Sequence, residues 1–109
     1  MTVIAVFTES GTTARLISKH RPRPPIIAFS RNQDTRREIS LLWGVLPRKS
    51  AKLSDIDDVD RVTEQRLLEE GLVRRGDLVG IVAGTPLGVG GTTNLMKFHI
   101  IGGGEQVRR

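Results

Sequence analysis

Val3-Ile4-Ala5-Val6-Phe7 runs directly into Thr8-Glu9-Ser10-Gly11-Thr12-Thr13, and the two halves ask for opposite things. The first is continuously apolar and rich in β-branched residues, which is the pattern of a strand buried on both faces. The second is turn and helix-cap chemistry. Ala14, Leu16 and Ile17 then open a helix, and Lys19, His20 and Arg21 in its last turn suit the negative end of the helix dipole. Pro22, Pro24 and Pro25 end it. A doubly buried strand that feeds a helix is the repeating unit of a parallel α/β sheet.

The unit repeats downstream. Ile26-Ile27-Ala28-Phe29 reads as a second buried strand and Asn32 as the cap of a second helix. Thr35, Ile39, Leu42 and Trp43 fall on one helical face, and Gly44 stands where a helix C-terminus favours glycine. Val45-Leu46 starts a short third strand, which Pro47 assigns to an edge. Asp55, Asp57 and Asp58 load the start of a third helix with the charge its dipole prefers. Ile56, Val59, Val62, Leu67, Leu68 and Leu72 supply its apolar stripe. Leu78 to Ala83 is a fourth buried strand, and Leu95, Met96, Phe98, Ile100 and Ile101 form a fifth. The order β-α-β-α-β-α-β-β predicts one α/β domain over residues 1–101 with a mostly parallel sheet. The last connection is too short for a crossover, so strand five runs antiparallel. Strands one and four are the most uniformly apolar and belong at the centre. Residues 102–109 read as a flexible C-terminal tail.

Composition narrows the chemistry. The chain has 109 residues and no cysteine, which excludes a disulfide scaffold, thiolate metal site or cysteine nucleophile. No apolar run is long enough to span a membrane, and the N-terminus lacks a signal-peptide pattern. The formal charge is +5 and uneven: residues 1–54 carry ten basic groups against three acidic, residues 55–109 seven against nine. A basic half suits an anionic partner or a solubilising arginine-rich surface. Four aromatic residues without a tyrosine argue against a base-stacking nucleic-acid surface. His20 and His99 lack metal-ligand spacing, and no nucleophile–base pair stands out. The expectation is therefore no catalytic residue, no metal, no nucleic acid and no membrane.

Two loops remain. Thr8, Ser10, Thr12 and Thr13 offer hydroxyls around the permissive backbone of Gly11, beside the unpaired amides of a helix N-terminus. That combination binds anions, or it is a helix cap with spare hydroxyls. Gly84-Thr85-Pro86-Leu87-Gly88-Val89-Gly90-Gly91-Thr92-Thr93 is the second. Its glycines permit close backbone approach to a ligand, or serve a flexible turn. It matches neither a Walker loop nor a dinucleotide fingerprint. If strands one and four are neighbours, both loops open on a topological switch point, where open α/β sheets bind ligands.

Four blocks, in order and at matching spacing over about residues 3–101, resemble the C-terminal domain of pyruvate kinase, in its bacterial forms. They are Phe-Thr-Glu-Ser-Gly-Thr-Thr-Ala-Arg (7–15) with His-Arg-Pro-Arg-Pro-Pro-Ile-Ile-Ala-Phe (20–29), Leu-Leu-Trp-Gly-Val (41–45), Gly-Leu-Val-Arg-Arg-Gly-Asp-Leu-Val (71–79), and Ala-Gly-Thr-Pro-Leu-Gly-Val-Gly-Gly-Thr-Thr-Asn-Leu (83–95). The resemblance implies a three-layer fold with strand order 3-2-1-4-5 and strand five antiparallel. It implies a parent enzyme that transfers phosphoryl from phosphoenolpyruvate to ADP with magnesium and potassium. Those catalytic groups belong to a preceding barrel whose motifs this chain lacks, so the chain alone is expected to be inactive and to need no cofactor. It further implies a regulatory domain for a sugar phosphate or nucleotide in a cytoplasmic glycolytic enzyme. The effector phosphate would be held by Thr8, Ser10, Gly11, Thr12 and Thr13 and closed over by the stretch containing Gly84, Thr85, Gly88, Gly90 and Gly91. Glu9 stands where some members carry lysine, and Thr12 where many carry a basic residue. Both departures weaken the case for fructose 1,6-bisphosphate and leave open a monophosphate, AMP, or free phosphate or sulfate. Family members also place one or two helices before the strand matching Val3 to Phe7. Without that layer, either as a fragment or as a stand-alone domain, apolar sheet surface is exposed and self-association is expected. The rival reading is an assembly module whose effector site is vestigial.

Overall fold

The computed structural model describes residues 1–50, 56–83 and 95–103. In chain order its elements are β1 (Val3–Phe7), α1 (Thr12–Lys19), β2 (Ile26–Ser30), α2 (Gln33–Ile39), β3 (Val45–Lys49), α3 (Ile56–Glu69), β4 (Leu78–Ala83) and β5 (Leu95–Ile100). The strands form one sheet in the order β3-β2-β1-β4-β5. All neighbours are parallel except β4 and β5. This is the expected architecture, including the central β1 and β4.

Period-two alternation divides the sheet residues between two cores. Val3, Ala5 and Phe7 of β1 join Ile27, Phe29, Val79 and Ile81 beneath Val59 and Leu67 of α3. Val6, Ile26, Ala28 and Val45 face the other way, onto Ala14 of α1 and Ile39 of α2. Phe7 and Phe29 stack at 4.7 Å between ring centroids, which locks β1 to β2 at the end of the sheet where both helices start.

One expectation needs correction. The second helix stops at Ile39, so Leu42 and Trp43 lie in the turn that reverses the chain into β3. Leu42 still packs on the core, but Trp43 is 48% exposed with Arg21 over its ring. Gly44, at φ +70°, makes that reversal rather than capping the helix. The short third strand runs Val45–Lys49 at the sheet edge, as expected, with Pro47 inside it. This edge strand tolerates proline because only one of its sides is hydrogen-bonded. Beyond β5, the two described residues of the C-terminal stretch are hydrogen-bonded. The Gly102 amide donates to Glu64 at 2.6 Å and the Gly103 amide to the Ile100 carbonyl at 3.0 Å. Residues 104–109 lie outside the described residues.

One side of β5 exposes its apolar residues. Register puts Leu78, Gly80 and Val82 beside Ile100, Phe98 and Met96, but Gly80 is buried and Val82 packs on the core under α1 and α2, so most of the exposure lies on β5. Met96 is 74% exposed and Phe98 61%. The opposite side of β5 is polar and tied down: Lys97 pairs with Asp60 at 2.7 Å, and His99 with Glu64 at 3.0 Å.

Candidate functional site

The site is built where β1 hands over to α1. The Thr8 amide donates to the Phe29 carbonyl at 3.0 Å, continuing the sheet one residue past β1. The buried Thr8 hydroxyl then accepts the Gly11 amide at 2.9 Å and folds residues 8–11 into a tight turn. Gly11 occupies the N-cap of α1 at φ +88°, a left-handed conformation open to glycine. Space reinforces the requirement. A Cβ at Gly11 would come within 2.9 Å of Ile39 Cγ2, so α1 and α2 meet there with no room to spare.

A glycine N-cap brings no side-chain acceptor, and no side chain caps α1. The first amides of a helix have no partners inside it, so the positive end of α1 faces outward. Around it stand the exposed hydroxyls of Ser10 and Thr12, 3.0 Å apart, and the half-buried Thr13. The Thr12 amide reaches Ser10 Oγ only at 3.4 Å, a long contact. The five residues expected in this loop therefore divide by task. Thr8 and Gly11 shape the turn, while Ser10, Thr12 and Thr13 present donors.

The remaining expected residues, Gly84, Thr85, Gly88, Gly90 and Gly91, lie outside the described residues. Their stretch leaves the sheet after Ala83, which pairs with Phe7 at the end of β1. Strand order reverses between β1 and β4, so the loop after β1 does open on the switch point.

Two arginines that the sequence does not single out, Arg15 and Arg31, touch the loop, and Arg36 lies beside them on the end of β2. Arg15 donates to the Ser10 carbonyl at 3.3 Å and to Glu38 at 3.0 Å. Arg31 pairs with Glu9, and Arg36 donates to the Ser30 carbonyl at 2.9 Å. The buried Thr35 hydroxyl donates to the Glu9 carbonyl at 2.7 Å. A usable signal exists for one of them. Arg31 follows β2 at the level where Glu9 follows β1, so neighbouring parallel strands bring the two together. The remaining candidates gather no chemistry. His20 caps the far end of α1, and His99 is spent on Glu64. Among the described residues there is no cluster able to hold a metal ion, and no helix long and apolar enough to cross a membrane.

Residues 1–99 match the family described as pyruvate kinase, alpha/beta domain. Pyruvate kinase of Lactobacillus delbrueckii subsp. bulgaricus is 46% identical over 101 residues, which are 93% of this chain and 17% of that protein. Pyruvate kinase of Sporosarcina psychrophila is 45% identical over 95 residues, 87% of this chain and 16% of its own length. That of Clostridium acetobutylicum is 39% identical over 98 residues, 90% and 21% respectively. Among solved structures, Cryptosporidium parvum pyruvate kinase in complex with ADP superimposes with a TM-score of 0.78 and 32% identity. It covers 91% of this chain and 20% of its own. The chain thus spans about a sixth to a fifth of these curated relatives.

Proposed function

The chain belongs to the pyruvate kinase family through its alpha/beta domain, and from that premise we propose that it is a regulatory, effector-binding and oligomer-forming domain rather than a catalytic one. The observation that carries this is the start of α1: a helix end without a side-chain cap, ringed by Ser10, Thr12 and Thr13, at the sheet's switch point. Amides and hydroxyls aimed at one space suit a phosphate group, whose oxygens accept from all of them. The glycine-rich stretch from Gly84 enters this reading from the family resemblance alone. Phosphoryl transfer between phosphoenolpyruvate and ADP, with its magnesium and potassium, belongs in this proposal to the part of the family's chain that these residues do not match. The setting is cytoplasmic glycolysis.

Regulation requires an effector to bind two quaternary states unequally, since only a difference in affinity shifts an equilibrium. The exposed apolar side of β5 supports the quaternary part. Met96, Phe98 and Ile100 form a continuous exposed stripe on an edge strand, a surface that soluble domains normally cover. Self-association over this face is expected, and Phe98→Asp should shift sedimentation toward the monomer. A wild-type chain that stays monomeric at every accessible concentration contradicts it.

Effector binding is tested by calorimetric titration with AMP, ribose 5-phosphate, glucose 6-phosphate and fructose 1,6-bisphosphate. The reading expects saturable binding of a monophosphate. Silence from all four with a folded protein would favour the rival, an assembly module with a vestigial site.

A further inference from the structure

The loop of the proposed site carries one acidic residue, Glu9, and the group that holds it comes from the next turn of the sheet. Arg31 donates from Nε at 3.0 Å and from Nη2 at 2.6 Å, both to the single oxygen Oε2 of Glu9. Extending the β1–β2 register beyond Phe7 and Phe29 sets residue 9 beside residue 31. The sheet therefore delivers the two residues to the same level, and the turn after β1 does the rest. Thr35 fixes the same loop residue by its carbonyl, so the Glu9 backbone stays anchored whatever its side chain does. Arg15 and Arg36 are occupied by backbone carbonyls. Of these three arginines, only Arg31 is held by a carboxylate of the loop.

We propose that Glu9 is a built-in competitor for anions: its carboxylate occupies Arg31, and an arriving phosphate gains that guanidinium only by displacing it. The proposal rests on reading the 8–13 loop as a phosphate site. Two features make the exchange feasible. Both side chains are about half exposed, so the pair parts without leaving a buried charge. Both donors also converge on one oxygen, whereas a guanidinium fork is best met by two acceptors in parallel. A phosphate offers those oxygens and a second negative charge. A carboxylate ligand offers no more charge than Glu9 already supplies. The pair thus selects dianionic phosphate over carboxylates and sets a threshold on its binding.

The test is calorimetric titration of the full chain with inorganic phosphate, in wild type, Glu9→Gln and Arg31→Gln, with thermal melts to show that each is folded. Competition expects Glu9→Gln to bind at least about threefold tighter, the scale of an exposed ion pair, and Arg31→Gln to bind more weakly than wild type. Acetate should displace no phosphate from the wild type. A Glu9 that only braces the loop predicts the reverse, weaker binding in Glu9→Gln. Unchanged or weaker binding in Glu9→Gln, with wild-type binding intact, overturns the competition and leaves the site standing. No saturable binding in either protein overturns both.

Discussion

Two strand-to-helix turns stand side by side at one end of this sheet, and they treat their helices in opposite ways. The turn after β2 places Asn32 at the N-cap in an extended conformation, and its Oδ1 accepts from the amides of Asp34 at 2.8 Å and Thr35 at 3.2 Å. Asp34 adds negative charge to the first turn. The positive end of α2 is thus satisfied by its own sequence. The turn after β1 places Gly11 there instead, at φ +88°, with no side-chain cap and no acid in the first turn. The two helices meet the sheet in the same way, yet only one keeps its amide donors facing outward. In the proposed reading, that difference marks the start of α1, rather than that of α2, as the place for a phosphate.

The comparison breaks most readily at Gly11. Gly11→Val should destabilise the fold by about 2–4 kcal/mol, because it combines a left-handed φ with overpacking against Ile39. Urea unfolding measures this, and a near-neutral result would show that the turn does not need its glycine. Asn32→Ala comes next. It should cost about 1 kcal/mol of stability and leave phosphate binding untouched, because that cap serves only α2.

Acid offers a control at the opposite end of the sheet. Burial raises the Glu64 carboxyl, but the Gly102 amide, His99 and Arg75 together hold it below its ordinary value of 4.5. A lowered folded value means that its stabilisation is present above the unfolded value and lost as pH falls through the folded one. Hydrogen exchange should show the Gly102 amide losing protection on acidification below about pH 4.5, while the Asn32-capped amides of α2 keep theirs. Equal loss at both places would mean that the molecule opens as a whole. The smallest effect on stability belongs to Ser10→Ala, less than about 0.5 kcal/mol for an exposed hydroxyl. Combined with Thr13→Ala it should nevertheless abolish phosphate binding. That inversion of Asn32→Ala, stable but unable to bind, sharpens the contrast.

Much of the scaffold is legible in the sequence because its signals are local. Continuous apolar runs such as Val3 to Phe7 mark strands buried on both faces, and Pro47 marks an edge. Gly11 announces its turn by chemistry alone. Spacing misleads at Trp43, where a helical period continues past Ile39 although the chain has already turned. Glu64, far away in sequence, captures the Gly102 amide, a long-range bond that neighbouring residues do not announce. Glu9 reads alone as a charge that repels phosphate. Its neutralisation by Arg31 depends on strand register, which no local pattern displays. The glycine-rich stretch from Gly84 lies outside the described residues, so that half of the expected site rests on the resemblance.

The most direct test of the account compares the two helix starts in one experiment. Amide resonances of the full chain are followed by heteronuclear NMR during titration with ribose 5-phosphate. A phosphate bound at the start of α1 should give saturable shifts at Thr12, Thr13 and Ala14, with the Asp34 and Thr35 amides, already held by Asn32, shifting far less. Shifts of equal size at both helix starts, or none at Thr12 to Ala14, would contradict it.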